Sequence, residues 1–397
     1  MYNVVVFKKV AGEMMGVIIG IGRAFLQLVY QLFKLLPVQD KIVMISRQGN
    51  TQSVDFILLR DELEREAPSV KVLFLCRTLD GGVDSTFLSK LGYLFHMFRQ
   101  MYHLATSKAA VLDTYCIVVS LLKHRKSLKV IQMWHSMGTM KLFGYTAVGS
   151  KEGSSAKIAE SMHMHENYSW FIAASENYRE HLARGFRCDA GKAFISPLPR
   201  YDLLRDRIYK EKKRQEILSA YPELRDRKII LYCPTFRKNE SQMQKALEGL
   251  AAYLPEGCCL VAKLHPLSKI TVDSADVYRA EGFSTFDMLF AADCVISDYS
   301  CVVYEAGVLG LPLYFYTFDM EEYTEDRGFA LDYEGEMPGV ISGDPQVIMQ
   351  AVSEGRSDPE AVRAFTDRYV EPTDCATAKI ARFVLSEGNI RTGEDRH

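Results

Sequence analysis

The sequence predicts an α/β protein made of two Rossmann-like halves. Three observations carry that expectation. From Lys41 onward, short apolar runs alternate with helical segments, as parallel strands joined by crossovers require. Phe194–Asp202 (FISPLPRYD) then sets two prolines at a hinge, and the same alternation resumes beyond it. Finally, Ile296–Phe318 (ISDYSCVVYEAGVLGLPLYFYTF) reads as strand, polar turn, helix and strand. Such a turn is where an α/β sheet offers free backbone N–H groups to an anion.

Length and composition allow this and exclude other classes. A chain of 397 residues with 48% hydrophobic and 25% charged content fills two or three domains with full cores. A formal net charge of -2 argues against bulk nucleic-acid binding. Nine cysteines (76, 116, 188, 233, 258, 259, 294, 301, 375) include no CxxC pair. They read as reduced, buried thiols rather than disulfides or zinc ligands.

The first segment, Gly12–Leu36, has a narrow stripe of Gly12, Gly16, Gly20, Arg23, Gln27, Gln31 and Lys34 on a helix that is otherwise apolar except for Glu13 and Gly22. The four larger polar residues interrupt any unbroken span of transmembrane length. The moment and charge, with Lys8 and Lys9, favour an amphipathic helix lying in a membrane interface. A long helix packed on its own domain and a tilted span are the alternatives.

Strands are expected at Ile42–Ile45, Lys71–Cys76, Ala109–Asp113, Val130–Trp134 and Trp170–Ala174, with helices at Asp55–Glu66, Leu88–Leu104 and Glu176–Arg184. The cationic run Leu121–Lys129 reads as a solvated face or as an attractor of anionic lipid or phosphate. His135 opens WHSMGTMKLFGY just past a strand end, where α/β enzymes place reactive groups. Gly138 and Gly144 would let backbone approach a ligand. His163 and His165 form an HxH pair without carboxylate or thiol partners, so no metal site is expected there.

In the second half, the strand Lys228–Tyr232 runs into CPTFRK, where Thr235 and Arg237 offer a hydroxyl and a guanidinium to phosphate. The strand Cys259–Leu264 ends at His265–Pro266. Ser300 adds a hydroxyl in the polar turn, and Glu305, about one helical turn on, can reach a sugar hydroxyl. Asp319–Gly328 (DMEEYTEDRG) is expected as an acidic loop over the site, and Thr377–Leu385 as a closing helix.

Taken together, WHSMGTMKLFGY, SPLPRYD, YCPTFR, KLHP and ISDYSCVVYEAGVLGLPLYFYTFDMEEYTEDRGFALDYE resemble the CDP-glycerol glycerophosphotransferase family, which primes or polymerises teichoic acids. The motifs stand in family order over roughly residues 41–341. The resemblance implies a GT-B architecture: a membrane-associating segment at 1–36, an acceptor domain at 37–198, a CDP-donor domain at 199–360 and a closing helix and tail at 361–397. It implies a peripheral, monotopic protein on the cytoplasmic face of the cell membrane. The reaction it implies moves glycerol phosphate from CDP-glycerol to a hydroxyl of a lipid-linked polyprenyl-diphosphate glycan, releasing CMP, with no metal or other cofactor.

Within that reading His135 is the base. Arg237, His265, Thr235 and Ser300 surround the diphosphate, and Glu305 binds ribose. Asp298 either orients His265 or caps the helix. Arg327 is either a second phosphate clamp or an ion-pair partner of the acidic loop. Two departures stand out: Cys301 replaces the second Ser of the family's turn, and Ser136 and Met137 separate His135 from Gly138. CDP-ribitol is the alternative donor. More distant alternatives are a nucleotide-sugar glycosyltransferase and a non-catalytic membrane adaptor.

Overall fold

A computed structural model describes residues 20–78, 86–151, 153–237, 239–264, 268, 270–272 and 274–392. Two six-stranded parallel sheets form its frame. The first contains β1 (Lys41–Ser46), β2 (Lys71–Cys76), β3 (Ala109–Leu112), β4 (Lys129–Gln132), β5 (Trp170–Ala173) and β6 (Ala193–Ile195) in the order β2-β1-β3-β4-β5-β6. The second contains β7 (Lys228–Cys233), β8 (Cys258–Ala262), β9 (Val277–Tyr278), β10 (Cys294–Ser297), β11 (Leu313–Tyr316) and β12 (Val340–Ser342) in the order β12-β11-β10-β7-β8-β9.

These orders reverse direction between β1 and β3 and between β7 and β10. A doubly wound sheet opens a crevice at such a point, beyond the carboxyl ends of its strands. Covering helices explain the composition: β1 is buried along its whole length, as a parallel strand between two helical layers must be. The short edge strands β6, β9 and β12 were not anticipated, since two or three half-buried residues leave no periodicity to read.

A helix near the carboxyl end returns to the first half. The helix Ala376–Glu387 lies against Val54–Glu66, with Phe383 stacked on Phe194 at 3.9 Å and Glu387 accepting from Trp170 Nε1 at 2.7 Å. Asp202 of the hinge motif caps it, accepting from the amides of Ala376 (2.8 Å) and Thr377 (2.9 Å).

At the amino end, residues 20–33 are helical, and residues 1–19 lie outside the description. Arg23, Gln27 and Lys34 of this helix's polar stripe meet its own protein, whereas Gln31 is exposed. Arg23 contacts His163, Gln27 accepts from the Lys123 amide, buried Tyr30 meets His124 and Lys34 donates to the Lys123 carbonyl. The apolar stripe of Ile21, Phe25, Leu28 and Leu32 is exposed. The cationic run is thus largely a docking ledge: Arg125 donates to the carbonyls of Lys34 and Leu36. Among the described residues no helix is long and apolar enough to cross a membrane.

The expected acidic loop is also different. Met320–Asp326 is a helix, pinned by Tyr323 stacking on Tyr299 with ring centroids 4.0 Å apart.

Candidate active site

The crevices of the two sheets face each other and enclose a cavity of about 710 Å³. The first half lines it with Gln48 beyond β1 and with His135, Ser136 and Lys141 beyond β4. Arg200 of the hinge closes one side. The second half adds Thr235 and Phe236 beyond β7, Ser300 and Cys301 beyond β10, and Val302, Glu305, Tyr323 and Arg327. Sequence reading had named His135, Thr235, Ser300, Glu305 and Arg327, and the fold brings these five to one cavity.

His135 is held by unusual backbone. Its predecessor Trp134 has φ 68°, a left-handed conformation that a bulky side chain rarely adopts. The Trp134 amide donates to Gln132 Oε1 at 3.1 Å, and its ring packs on His135 with centroids 4.4 Å apart. Such strain persists only where the surroundings over-determine it, which is common at functional sites. His135 Nδ1 lies 3.0 Å from the Asp113 carbonyl oxygen. A carbonyl only accepts, so Nδ1 carries the proton and Nε2 keeps its lone pair. Burial lowers the imidazole pKa, with further lowering by Arg200. The ring is therefore a neutral acceptor at pH 7, the form a general base needs.

Across the cavity, Thr235 is fixed at its amide by Asp298 Oδ1 at 2.8 Å, and its hydroxyl accepts from Lys141 Nζ at 3.1 Å. Lys141 belongs to the first half in sequence but is stitched to the second. It pairs antiparallel with Phe329, and the Ala330 amide donates to the Met140 carbonyl at 2.8 Å. Burial lowers the Lys141 pKa. A desolvated ammonium with hydroxyls beside it is suited to an anionic oxygen. Sequence reading passed over this lysine, although it is the one lysine in WHSMGTMKLFGY.

Glu305 is buried in the helix Val302–Val308. Its Oε1 accepts from Arg200 Nη1 at 3.3 Å, while Oε2, also buried, has no protein partner among the described residues. Burial raises its pKa and Arg200 opposes the rise. Oε2 is thus an unpartnered acceptor just behind the cavity wall that Glu305 helps to line, a group that a sugar hydroxyl would satisfy.

The structure departs from four expectations or leaves them outside the described residues. Arg237 is not on the cavity wall. Its guanidinium is spent on Asp319 (2.6 and 3.0 Å), Asp298 (2.9 Å) and the Thr235 carbonyl (2.8 Å), and it lies near the rings of Tyr299, Phe318 and Tyr323. It lines a smaller neighbouring cavity of about 270 Å³. Asp298 is fully buried, and its carboxylate accepts from Arg237 and from the amides of Thr235 and Tyr299, so it braces the two strand ends instead of capping the following helix. His265 lies outside the described residues. Gly138 and Gly144 serve packing, not a ligand. A Cβ on Gly138 would meet the Tyr304 ring at 2.6 Å, and Gly144, at φ +55°, lies against the Gly185 carbonyl.

Two facing parallel sheets with a polar cavity between their carboxyl ends define a GT-B-type molecule. The wall teichoic acid polymerase TagF superposes with a TM-score of 0.73 at 18% identity, covering 98% of both chains. The family model described as CDP-glycerol:poly(glycerophosphate) glycerophosphotransferase matches residues 28–386, and the chain belongs to that family. It is 30% identical to the teichoic acid ribitol-phosphate primase of Bacillus spizizenii over 89% of this chain and 93% of that one. It is 27% identical to the teichoic acid glycerol-phosphate primase of Bacillus subtilis over 85% and 89%.

Proposed function

We propose that this chain transfers glycerol phosphate from CDP-glycerol to a hydroxyl of a lipid-linked, teichoic acid-type acceptor and releases CMP. The observation that carries the proposal is His135, held in the tautomer that leaves Nε2 unprotonated, on a cavity whose other wall presents Lys141, Thr235 and Ser300. The acceptor oxygen attacks the phosphorus bearing the polyol and gives its proton to Nε2. The bond from that phosphorus to the oxygen bridging to CMP breaks, and the charge gathering on CMP is met by Lys141, Arg327 and the two hydroxyls. In this proposal His265 is assigned to the diphosphate by the family resemblance alone, and Glu305 takes the ribose. Arg237 acts at one remove, by fixing the Thr235 turn.

A second donor, CDP-ribitol, is favoured by the likeness to the ribitol-phosphate primase. Turnover with each CDP-polyol on a lipid-linked acceptor separates the two. Titration of both into the protein tests the donor site. Lys141→Met is expected to weaken binding about 10- to 100-fold, the worth of a charge-assisted hydrogen bond. Binding of neither compound to the unaltered protein would overturn the proposal.

The same reading places the molecule peripherally on the cytoplasmic face of the membrane. The support is the outward apolar stripe of residues 20–33. Phe33 of this segment meets Tyr102 of the helix Phe87–Thr106, which exposes Phe87, Leu88 and Phe95.

A further inference from the structure

Arg200 stands where the two halves meet, and five of its contacts converge there. Its amide donates to Asp55 Oδ1 and its Nε to Asp55 Oδ2, both at 2.8 Å, and Nη2 also meets Oδ2. Nη1 reaches Glu305 Oε1 at 3.3 Å, and Nη2 reaches the carbonyl oxygen of His135 at 3.3 Å. Asp55 opens the helix Val54–Glu66 in the first half, whereas Glu305 belongs to the second. One guanidinium therefore holds the backbone of the proposed base and the carboxylate proposed for ribose, anchored from behind by a third group.

We infer that Arg200 is a positioning residue: it ties the His135 turn to Glu305, so that a donor seated on Glu305 fixes the base against the reacting phosphorus. Four of its five N–H donors are already used, which leaves it poorly placed to serve as a phosphate ligand itself. Asp55 is buried and absent from the cavity wall, so it acts on the reaction only through Arg200. Positioning of this kind is costly to lose, since a displacement near 1 Å lowers rates by about 100-fold.

The inference rests on the donor reading above, and its test uses the intact chain with Asp55→Asn and Arg200→Lys. Asn keeps an acceptor for the Arg200 amide, and Lys keeps the charge but cannot make the forked contacts. For CMP release from the active CDP-polyol, kcat is expected to fall about 10-fold or more in both variants, with donor KM within about 3-fold of the unaltered protein. Unchanged kcat in both would overturn the inference. So would a rise in KM at constant kcat, which would make Arg200 a donor ligand.

Amide hydrogen exchange gives a reading that needs no substrate. Asp55→Asn is expected to speed exchange in residues 134–140 and 302–306 together, and protection unchanged in both segments would overturn the inference. If the unaltered protein releases no CMP from either donor, the functional reading fails while the exchange result still decides the role of Arg200. Should Asp55→Asn fail to fold, Arg200→Lys supplies both readings.

Discussion

At the scale of single residues, the chemistry turns on which groups are charged in the cavity. His135 is neutral because burial, and after it the Arg200 charge, disfavour the imidazolium by more than the hydrogen bond from Nδ1 to the Asp113 carbonyl favours it. A base with a lowered pKa puts the acid limb of kcat/KM below the ordinary histidine range near 6.5. The rate is therefore expected to stay flat from pH 8 down through about pH 6.5 and to fall only further into acid, which a pH–rate profile measures. Asp113 makes an independent prediction. Burial pushes its carboxyl up from 3.8 to about 6. A raised carboxyl pKa means that the folded state binds the proton more tightly. This stabilisation is complete below about pH 4 and is lost as the pH rises through about 6. Asp113→Asn should remove on the order of 2 kcal/mol of that dependence in denaturation curves taken from pH 4 to 7. Residue types at strand ends were legible in the sequence: His135, Thr235, Ser300 and Glu305 could be named from position alone. Pairings were not. Arg237 looked like a phosphate ligand because nothing in CPTFRK shows that Asp298 and Asp319 close on it from segments about 60 and 80 residues away.

At the scale of elements, the loop after β4 carries most of the burden. It delivers His135, then crosses to the second half to pair Lys141 with Phe329. Gly138 is what lets the loop pass the hydroxyl-paired rings of Tyr178 and Tyr304. Gly138→Ala is expected to cost about 1–3 kcal/mol through overpacking, read as a lowered denaturation midpoint, with a loss of turnover from the displaced loop. The alternation of apolar runs was enough to place the long strands, because a strand buried on both faces leaves an uninterrupted apolar signature. It missed the helix Met320–Asp326. That segment is polar at most positions and owes its place to one stacked tyrosine, Tyr323, whose partner lies in another element.

At the scale of the whole molecule, the helix of residues 20–33 has two apolar faces, one packed on the protein through Leu26, Val29, Tyr30 and Phe33 and one exposed. Arg23, Gln27 and Lys34 bond to the protein, while Ile21, Phe25, Leu28 and Leu32 look outward. Sequence periodicity showed the two faces but could not say which faced the protein, since Tyr30 and His124 meet only in the folded chain. Leu28→Ser with Leu32→Ser is expected to lower partition onto anionic vesicles by at least about 10-fold, in line with the loss of two buried leucines at 1.5–3 kcal/mol each. Sedimentation with vesicles measures it, and release of CMP to a short soluble acceptor should be unaffected. The central claim is that a CDP-polyol lies between the sheets with His135 facing its phosphorus. It is tested most directly by the rate of CMP release in His135→Asn at saturating donor and lipid-linked acceptor. The account predicts a fall of about 100- to 10,000-fold with the fold intact; CMP release at the unaltered rate would contradict it.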